Sequence, residues 1–248
     1  NIVDMIFQDG NLSYSRIDVS LDEWTRNNLT LASVTDSVYS VVSDGTTTWI
    51  LTVSGTTATN FYACCVADIA RGDIDISAST TNDQDRLSDI DMYCVSSTDC
   101  KVVYTDDIDV GGGDGPNLVY VDCDDEGCSS PTATVLDTDI GGAGDVANPA
   151  IYCVDAQDCK IVYGDNIGTA GPDQVFLDCT SANEECTTSS ATVLNADIGA
   201  SGTFNTNSID CTGGAADCKV VYWEDDSDDV HFVDCSAANC STTDADTT

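Results

Sequence analysis

Basic residues are nearly absent from the sequence. Lysine and arginine total 7 against 44 aspartate and glutamate residues, so the formal net charge at pH 7 is −37. A surface this acidic repels nucleic acids and anionic membranes, which makes both poor partners unless metal ions intervene. The sequence also has no apolar run near the roughly 18 residues of a membrane-spanning helix, which argues against membrane insertion.

Lysine and glutamate, which favour helices, are scarce. Glutamate occurs only at Glu23, Glu126, Glu184, Glu185 and Glu224, and the other acidic residues are aspartates, which favour turns and caps. Valine, isoleucine, threonine and tyrosine are concentrated in short runs between clusters of Gly, Asp, Ser and Thr, a pattern typical of strands joined by turns. The composition therefore predicts an all-β fold without helices.

Cysteine, in contrast, is abundant. The 14 cysteines recur at regular spacings without the Cys/His spacings of zinc sites, which indicates a disulfide framework. Such a framework forms in an oxidising compartment, so we expect an extracellular or cell-surface protein. Because the chain begins at Asn1 without an initiator Met or an apolar leader, we expect a mature product or a fragment whose export signal has been removed.

A unit of 59 residues is repeated along the chain. Its clearest segment occurs three times at that spacing, at Asp99–Tyr104, Asp158–Tyr163 and Asp217–Tyr222. A second segment ending in Asp-Cys follows in each unit, at Val119–Cys123, Val175–Cys179 and His231–Cys235. Together with a short segment before the first cysteine and a later run such as Ala133–Leu136, each unit contains four predicted strands, here named A to D in chain order.

Four short strands per unit predict the blade of a β-propeller. A tandem of small sandwich domains is the alternative, but a unit of 59 residues is short for a sandwich and would leave its core thin. We expect a single domain over 1–248 with about five four-stranded blades, at 1–36, 37–88, 89–148, 149–206 and 207–248. The repeat resembles the disulfide-stapled β-propeller proteins that microbes secrete or display, and this resemblance implies an architecture but no single activity.

The first blade lacks a candidate for its innermost strand A. Ile2–Phe7, Leu12–Val19 and Leu29–Val34 supply strands B, C and D, and the residues after Cys240 have room only for the last strand D. In the second blade, strand D is expected at Ile74–Ile76. Propellers normally close by joining strands from both chain ends in one blade. Three explanations follow: a longer protein, an open ring, or a strand supplied by a neighbouring subunit.

Blade topology places the paired cysteines on one rim. The A–B and C–D turns point to the same face, and they are flanked by six pairs: Cys94/Cys100, Cys123/Cys128, Cys153/Cys159, Cys179/Cys186, Cys211/Cys218 and Cys235/Cys240. The adjacent Cys64 and Cys65 either form a vicinal disulfide or bond elsewhere. Cys65 aligns with Cys123, so Cys64 is the extra residue.

The opposite rim collects aspartates and glycines. Asp107, Asp109 and Asp114 lie in one loop with glycines for a tight turn, so calcium is the cofactor that we expect such loops to bind, although the bidentate Glu of an EF-hand is missing. A solvated acidic face and adaptation to high salt are the alternatives. Glycosylation sequons begin at Asn11, Asn28 and Asn239.

The only three lysines are equivalent in the repeat. Each follows Asp-Cys at the start of strand B, which predicts a repeated ion pair or hydrogen bond to a carboxylate of the same or the next blade, at Lys101, Lys160 and Lys219. The tyrosines that close the same segment are predicted to lie in the core between blades: Tyr104, Tyr163 and Tyr222.

Few residues are available for catalysis. His231 is the only histidine, no Ser/His/Asp arrangement is recognisable, and no glycine-rich phosphate loop precedes a helix. Ser43–Trp49 resembles the Asp-box turn of sialidase-like propellers, but its Asp and Gly are adjacent where that motif separates them. We therefore expect that the chain is not an enzyme, with a glycosidase as the alternative because carboxylates are abundant.

The incomplete first blade favours one function above the others. We expect a non-catalytic extracellular structural subunit that assembles with copies of itself into a filament, appendage or surface layer. The alternative is an adhesion module that binds glycans or another surface protein through the acidic rim, with calcium as its cofactor.

Overall fold

The computed structural model contains antiparallel sheets and no helix in the residues that it describes. These residues are 2–8, 12–18, 23–25, 37–43, 47–54, 58–65, 69–72, 88–96, 98–106, 117–123, 132–137, 148–165, 173–187, 189–195, 204–212, 214–224, 229–241 and 243–244, and side chains are described only after residue 89. A search of the described residues finds no helix with the length and apolar character needed to cross a lipid bilayer.

The described strands pair into five sheets in which strands adjacent in sequence are hydrogen-bonded neighbours. Sheet 1 contains β1 (Ile2–Gln8), β2 (Leu12–Asp18) and β3 (Glu23–Thr25). Sheet 2 contains β4 (Ser37–Ser43), β5 (Thr47–Ser54), β6 (Ala58–Cys65) and β7 (Ile69–Gly72). Sheet 3 contains β8 (Ser88–Ser96), β9 (Asp99–Asp106), β10 (Asn117–Cys123) and β11 (Thr132–Asp137). Sheet 4 contains β12 (Ala150–Asp155), β13 (Asp158–Asp165), β14 (Asp173–Thr180) and β15 (Ser189–Asn195). Sheet 5 contains β16 (Phe204–Asp210), β17 (Cys218–Glu224), β18 (Asp229–Cys235) and β19 (Thr243–Asp244).

Cysteines cluster at one end of each of the last three sheets. In sheet 4, Cys153 is opposite Cys159, which is in turn opposite Cys179 on the third strand. Five disulfides join pairs that the sequence spacing predicts: Cys94–Cys100, Cys153–Cys159, Cys179–Cys186, Cys211–Cys218 and Cys235–Cys240. Cys123 is also disulfide-bonded, while Cys128 lies outside the described residues. The disulfides therefore close turns within single sheets and fit an extracellular protein.

Successive sheets pack face to face. Val103 and Tyr120 of sheet 3 pack against Ile161 and Leu177 of sheet 4 in one buried cluster. A second cluster packs sheet 4 on sheet 5 through Phe176 and its neighbours. We call the face of a sheet that contacts the following sheet its forward face, and the opposite face its rear face. Because sheets 3 and 4 are covered on both faces, their second and third strands are buried along nearly their whole length, as β10 is throughout.

The first strands of neighbouring sheets lie next to one another. The rings of Tyr93 and Tyr152 are 4.6 Å apart between their centroids, and Asn207 Nδ2 donates a 2.7 Å hydrogen bond to the backbone oxygen of Asn148. Burial, reinforced by a hydrogen bond that the Tyr93 hydroxyl makes to Tyr152, raises the pKa of Tyr93 to about 12, so this phenol stays neutral at physiological pH. The first strands of sheets 3, 4 and 5 are thus neighbours, as they are in propeller-type folds.

Two strands lie earlier in the chain than the sequence predicts. The third strand of sheet 1 is β3, Glu23–Thr25, whereas the sequence predicts Leu29–Val34. The fourth strand of sheet 2 is β7, Ile69–Gly72, whereas the sequence predicts Ile74–Ile76. Both predicted segments lie outside the described residues. The prediction places the strands where local β-propensity is high. In the structure, short connections to the preceding strands let β3 and β7 pair earlier in the chain.

We expect replacement of both Cys153 and Cys159 by serine to lower the free energy of unfolding by about 2 kcal/mol. The disulfide closes a loop with a sequence separation of 6, and its loss gives the unfolded chain more conformational freedom. Urea denaturation under non-reducing conditions measures the change. An unaltered denaturation midpoint would contradict a stabilising role for this disulfide.

Candidate functional site

Each of two described lysines lies between two aspartates of its own sheet. Lys160 donates hydrogen bonds to Asp158 on the same strand and to Asp178, which is opposite it on β14. Lys219 repeats this pattern in sheet 5, where it donates to the aspartates at 217 and 234. Residues i and i+2 of a strand point to the same side, so the Asp-Cys-Lys sequence itself places one carboxylate beside each ammonium.

Lys101 has a third carboxylate, which comes from the following sheet. It donates to Asp122, lies 2.6 Å from Asp99 and donates a 3.2 Å hydrogen bond to Glu184 Oε2. Glu184 belongs to the connection between the third and fourth strands of sheet 4, residues 181–187, which we call a covering loop. Burial lowers the pKa of Lys101, but the hydrogen bonds and charges of the two aspartates outweigh it and raise that pKa above its ordinary value. The ammonium is therefore buried and charged.

The covering loops also accept hydrogen bonds from the last strand of the preceding sheet. Thr134 Oγ1 donates to the backbone oxygen of Glu185 at 2.8 Å. The equivalent bond joins Thr192 Oγ1 to the backbone oxygen of Asn239 at 2.8 Å, in the covering loop of sheet 5, residues 236–241. The same loop position thus binds the preceding sheet at both described junctions, which makes this contact part of the repeat.

A buried tyrosine links sheets 3 and 4 at another point. Tyr163 donates a 2.7 Å hydrogen bond to Asp137 Oδ2 of the preceding sheet. Burial, together with the charge of Asp137, raises the pKa of Tyr163 far above its ordinary range. The phenol therefore remains a hydrogen-bond donor even in strongly alkaline solution.

The forward face of sheet 5 is exposed, unlike those of the two sheets before it. Three of its apolar side chains are accessible, with exposed fractions of 38% for Val221, 59% for Val230 and 37% for Phe232. The Lys219 side chain is 37% exposed, against 0% and 1% for the lysines at 101 and 160. The residues of sheet 4 that correspond to Val221 and Phe232 are Val162 and Phe176, and both are 0% exposed. We call the surface formed by Lys219, Val221, Val230 and Phe232 the open face.

The carboxylates around Lys101 form the acidic group best placed to hold a metal ion among the residues with described side chains. Oxygens of Asp99, Asp122 and Glu184 lie within 4.8 Å of one another. The ammonium of Lys101 contacts all three, so the chain supplies its own cation at this position. A metal would have to displace this ammonium, and the arrangement works first as an ion-pair cluster between two sheets.

Most other predicted site residues lie outside the part of the chain whose side chains are described: Asp107, Asp109, Asp114, Asn11, Asn28, Cys64 and Cys65. Asn239 is described, and its Oδ1 accepts a 3.2 Å hydrogen bond from the backbone nitrogen of Ser241. Neither Glu184 nor the open face is predictable from the repeat. Glu184 has no counterpart in the covering loop of sheet 5, and the open face has the same kinds of residue as its buried equivalents.

Comparisons with known proteins show a likeness of fold only. No protein-family model and no curated protein matches the sequence. A lectin of Aleuria aurantia, in complex with Fucα1-6GlcNAc, superposes with a TM-score of 0.61 at 8% identity, over 99% of this chain and 73% of that one. The BP39L lectin from Burkholderia pseudomallei gives 0.54 at 15% identity, over 100% and 65%. The NanB sialidase from Streptococcus pneumoniae gives 0.57 at 8% identity, over 92% of this chain and 35% of that one.

These similarities are consistent with an all-β, propeller-type fold built from four-stranded antiparallel sheets. They also correct one expectation. The prediction that the chain is not an enzyme is wrong, because a sialidase has a similar propeller-type fold, as do two lectins. A fold that supports both classes of protein leaves catalysis open.

We expect Lys101→Met to lower the free energy of unfolding by about 3–5 kcal/mol, because Asp122 would remain buried without its cation. Lys219→Met is the matched control. Its ion pairs are exposed to solvent, which screens them, so its effect should be much smaller. Urea denaturation of both variants at one pH tests the difference. Equal destabilisation would contradict the conclusion that burial makes the Lys101 ion pairs more important for stability than those of Lys219.

Proposed function

We propose that the chain is an extracellular structural subunit that assembles with copies of itself into a filament, appendage or surface layer. The observation that carries this proposal is the open face of sheet 5. In sheets 3 and 4 the equivalent surface is the site of a tight sheet-to-sheet interface. Exposed apolar side chains clustered on one sheet face are typical of a surface that binds another protein.

The proposed architecture is one propeller domain of about five blades, in which the first blade lacks its innermost strand. Three described strands in sheet 1 support this arrangement. A ring that closed within one chain would cover the forward face of sheet 5, whereas Val230 is 59% exposed in the single chain. The exposed forward face of sheet 5 suits association between subunits.

If subunits associate through the open face, a charge introduced on this face should weaken assembly, whereas a charge introduced elsewhere on the surface should not. Val230→Asp should weaken self-association by at least about ten-fold, since its carboxylate would be buried without a partner. Val193→Asp is the matched control, because Val193 is also exposed, at 44%, but lies on the outer strand β15 of sheet 4. Sedimentation velocity and negative-stain electron microscopy of the oxidised protein report the polymer in each case.

The two variants should leave the fold intact, because both valines are exposed in the single chain. A monodisperse monomer of the unaltered protein at high concentration would contradict self-assembly. Equal loss of assembly in both variants would show that the open face is not where the subunits meet.

A second candidate function is glycan binding, which the two lectins of similar fold favour. On this hypothesis the acidic loop with Asp107, Asp109 and Asp114 would bind calcium, and the ion would coordinate sugar hydroxyls. We expect binding on a glycan array that disappears when calcium is chelated and returns when calcium is added back. An array without signal at millimolar calcium would remove this candidate.

A further inference from the structure

We propose that the cysteines of sheet 4 form a thiol–disulfide exchange site that takes up one small thiol at Cys186. The sulfur of Cys179, once displaced, attacks the neighbouring disulfide, forms a Cys159–Cys179 bond and releases Cys153 as a thiol. This inference does not depend on the proposed self-assembly or on glycan binding, because it uses groups within a single chain.

Three cysteines face one another across three adjacent strands of sheet 4. Cys153 on β12 is opposite Cys159 on β13, and Cys159 is opposite Cys179 on β14. Directly opposite residues of antiparallel strands have Cα atoms about 4.5–5.5 Å apart, which lies within the range of about 4.4–6.8 Å found in disulfides. Cys159 therefore has a cysteine within bonding reach on each side, although its disulfide is with Cys153.

Both disulfides of sheet 4 belong to one buried cluster. Their four cysteines are each 2% exposed and lie in the cluster that packs sheet 4 on sheet 3: Cys153, Cys159, Cys179 and Cys186. A thiolate released at Cys179 would therefore form on the same face of the sheet as Cys159. Attack by a thiolate on an adjacent disulfide is the elementary step of disulfide exchange.

A crevice between two turns of sheet 4 touches both disulfides. Its lining includes Cys159, Cys179 and Cys186, together with the exposed Gln157 of the turn between β12 and β13. The covering loop lies against this turn, because Ser181 N donates a 3.0 Å hydrogen bond to the backbone oxygen of Gln157. The crevice is the route by which we expect a small thiol to approach Cys186.

The hydroxyl of Tyr120, from sheet 3, lies beside these sulfurs. It is 3.8 Å from Cys159 Sγ and donates a 2.9 Å hydrogen bond to the backbone oxygen of Glu184 in the covering loop. Exchange passes negative charge from one sulfur to the next, and a buried apolar environment disfavours a thiolate. A hydroxyl at this position can donate to the charged sulfur, so we expect Tyr120 to speed the exchange.

The proposed sequence of steps consumes one thiol and no other reactant. The small thiolate attacks Sγ of Cys186, the Cys179–Cys186 bond breaks, and its electron pair leaves on Cys179. Cys179 then attacks Sγ of Cys159, and the electron pair of the Cys153–Cys159 bond leaves on Cys153. Cys153 takes up the proton that the small thiol lost to solvent. The number of disulfides, counting the mixed disulfide at Cys186, is unchanged.

The exchange would free the covering loop while the centre of the sheet stays cross-linked. Cys186 would no longer be bonded to β14, whereas β13 and β14 would gain a disulfide between them. The same facing arrangement occurs in the neighbouring sheets, where Cys100 is opposite Cys123 and Cys218 is opposite Cys235. The cross-strand pair is therefore part of the repeat.

Two double variants test the geometry. Cys153→Ser with Cys186→Ser leaves Cys159 and Cys179 facing each other, and the folded chain should join them in a disulfide. Cys159→Ser with Cys186→Ser is the matched control. It leaves Cys153 and Cys179 two strand spacings apart, roughly 10 Å, which is beyond the reach of a disulfide, so both should stay thiols. Peptide mapping without reduction, after peptic digestion at acid pH, identifies the pairs. Free thiols in the first variant, or a disulfide in the second, would contradict the geometry.

The unaltered protein tests the exchange itself and does not depend on the folding of a variant. The probe is 2-mercaptoethanol, an uncharged thiol, because a chain with a net charge of −37 repels anionic thiols. After alkylation with iodoacetamide, peptide mapping should find the probe on Cys186, a Cys159–Cys179 disulfide and the alkyl group on Cys153. Tyr120→Phe, which places the residue of position 176 in sheet 3, should slow the release of Cys153 by about five-fold through loss of one hydrogen bond.

The other outcomes overturn the inference. An alkyl group on Cys179 with an intact Cys153–Cys159 disulfide would show simple opening of one disulfide without transfer. No uptake of the probe by the folded protein would remove the site altogether. A rate that rises steeply in urea below the denaturation midpoint would show that the thiol reacts only with the unfolded chain, since unfolding depends linearly on denaturant in its free energy. Near-ultraviolet circular dichroism checks that the protein stays folded during the reaction.

Discussion

Sheets 3 and 4 are apolar on both faces, and each therefore needs a neighbour on each side. The strand β10 is buried along its whole length, and β14 is buried over five consecutive residues, so neither strand has a solvent face. In β18 the pattern changes to alternating exposed and buried residues. The forward face of sheet 5 is thus exposed to solvent, although it has the same kinds of residue as the buried forward faces of sheets 3 and 4. The proposed self-association draws on this exposed apolar surface.

Lys101 adds orientation to a contact that apolar packing alone would leave loosely defined. Hydrophobic faces tolerate sliding, whereas an ammonium held by Asp99, Asp122 and Glu184 requires the loop of the next sheet at one position. The threonine hydrogen bonds to the covering loops impose the same register at both junctions. Polar groups therefore determine how the sheets align, while the apolar faces provide most of the driving force.

The repeat made much of this architecture predictable. The recurrence of Asp-Cys-Lys located the second strands, and paired cysteines located the turns that disulfides close. The identity of a lysine partner was less accessible, because Glu184 comes from another unit and its loop position is glutamate at 126 and 184 but alanine at 238. The exposure of Phe232 was not predictable at all, since its sequence context matches that of the buried Phe176. The local sequence shows which face of a strand is apolar, but only the three-dimensional structure shows whether another sheet covers that face.

The five described disulfides each lie within one sheet, and none of these five links one sheet to the next. Under tension we therefore expect neighbouring sheets to separate before the turns that these disulfides close. The separated units keep their hairpins in register and can re-dock when the load is released. A reducing agent would remove this reversibility, because a freed sheet without its staples would unravel before it met its neighbour again.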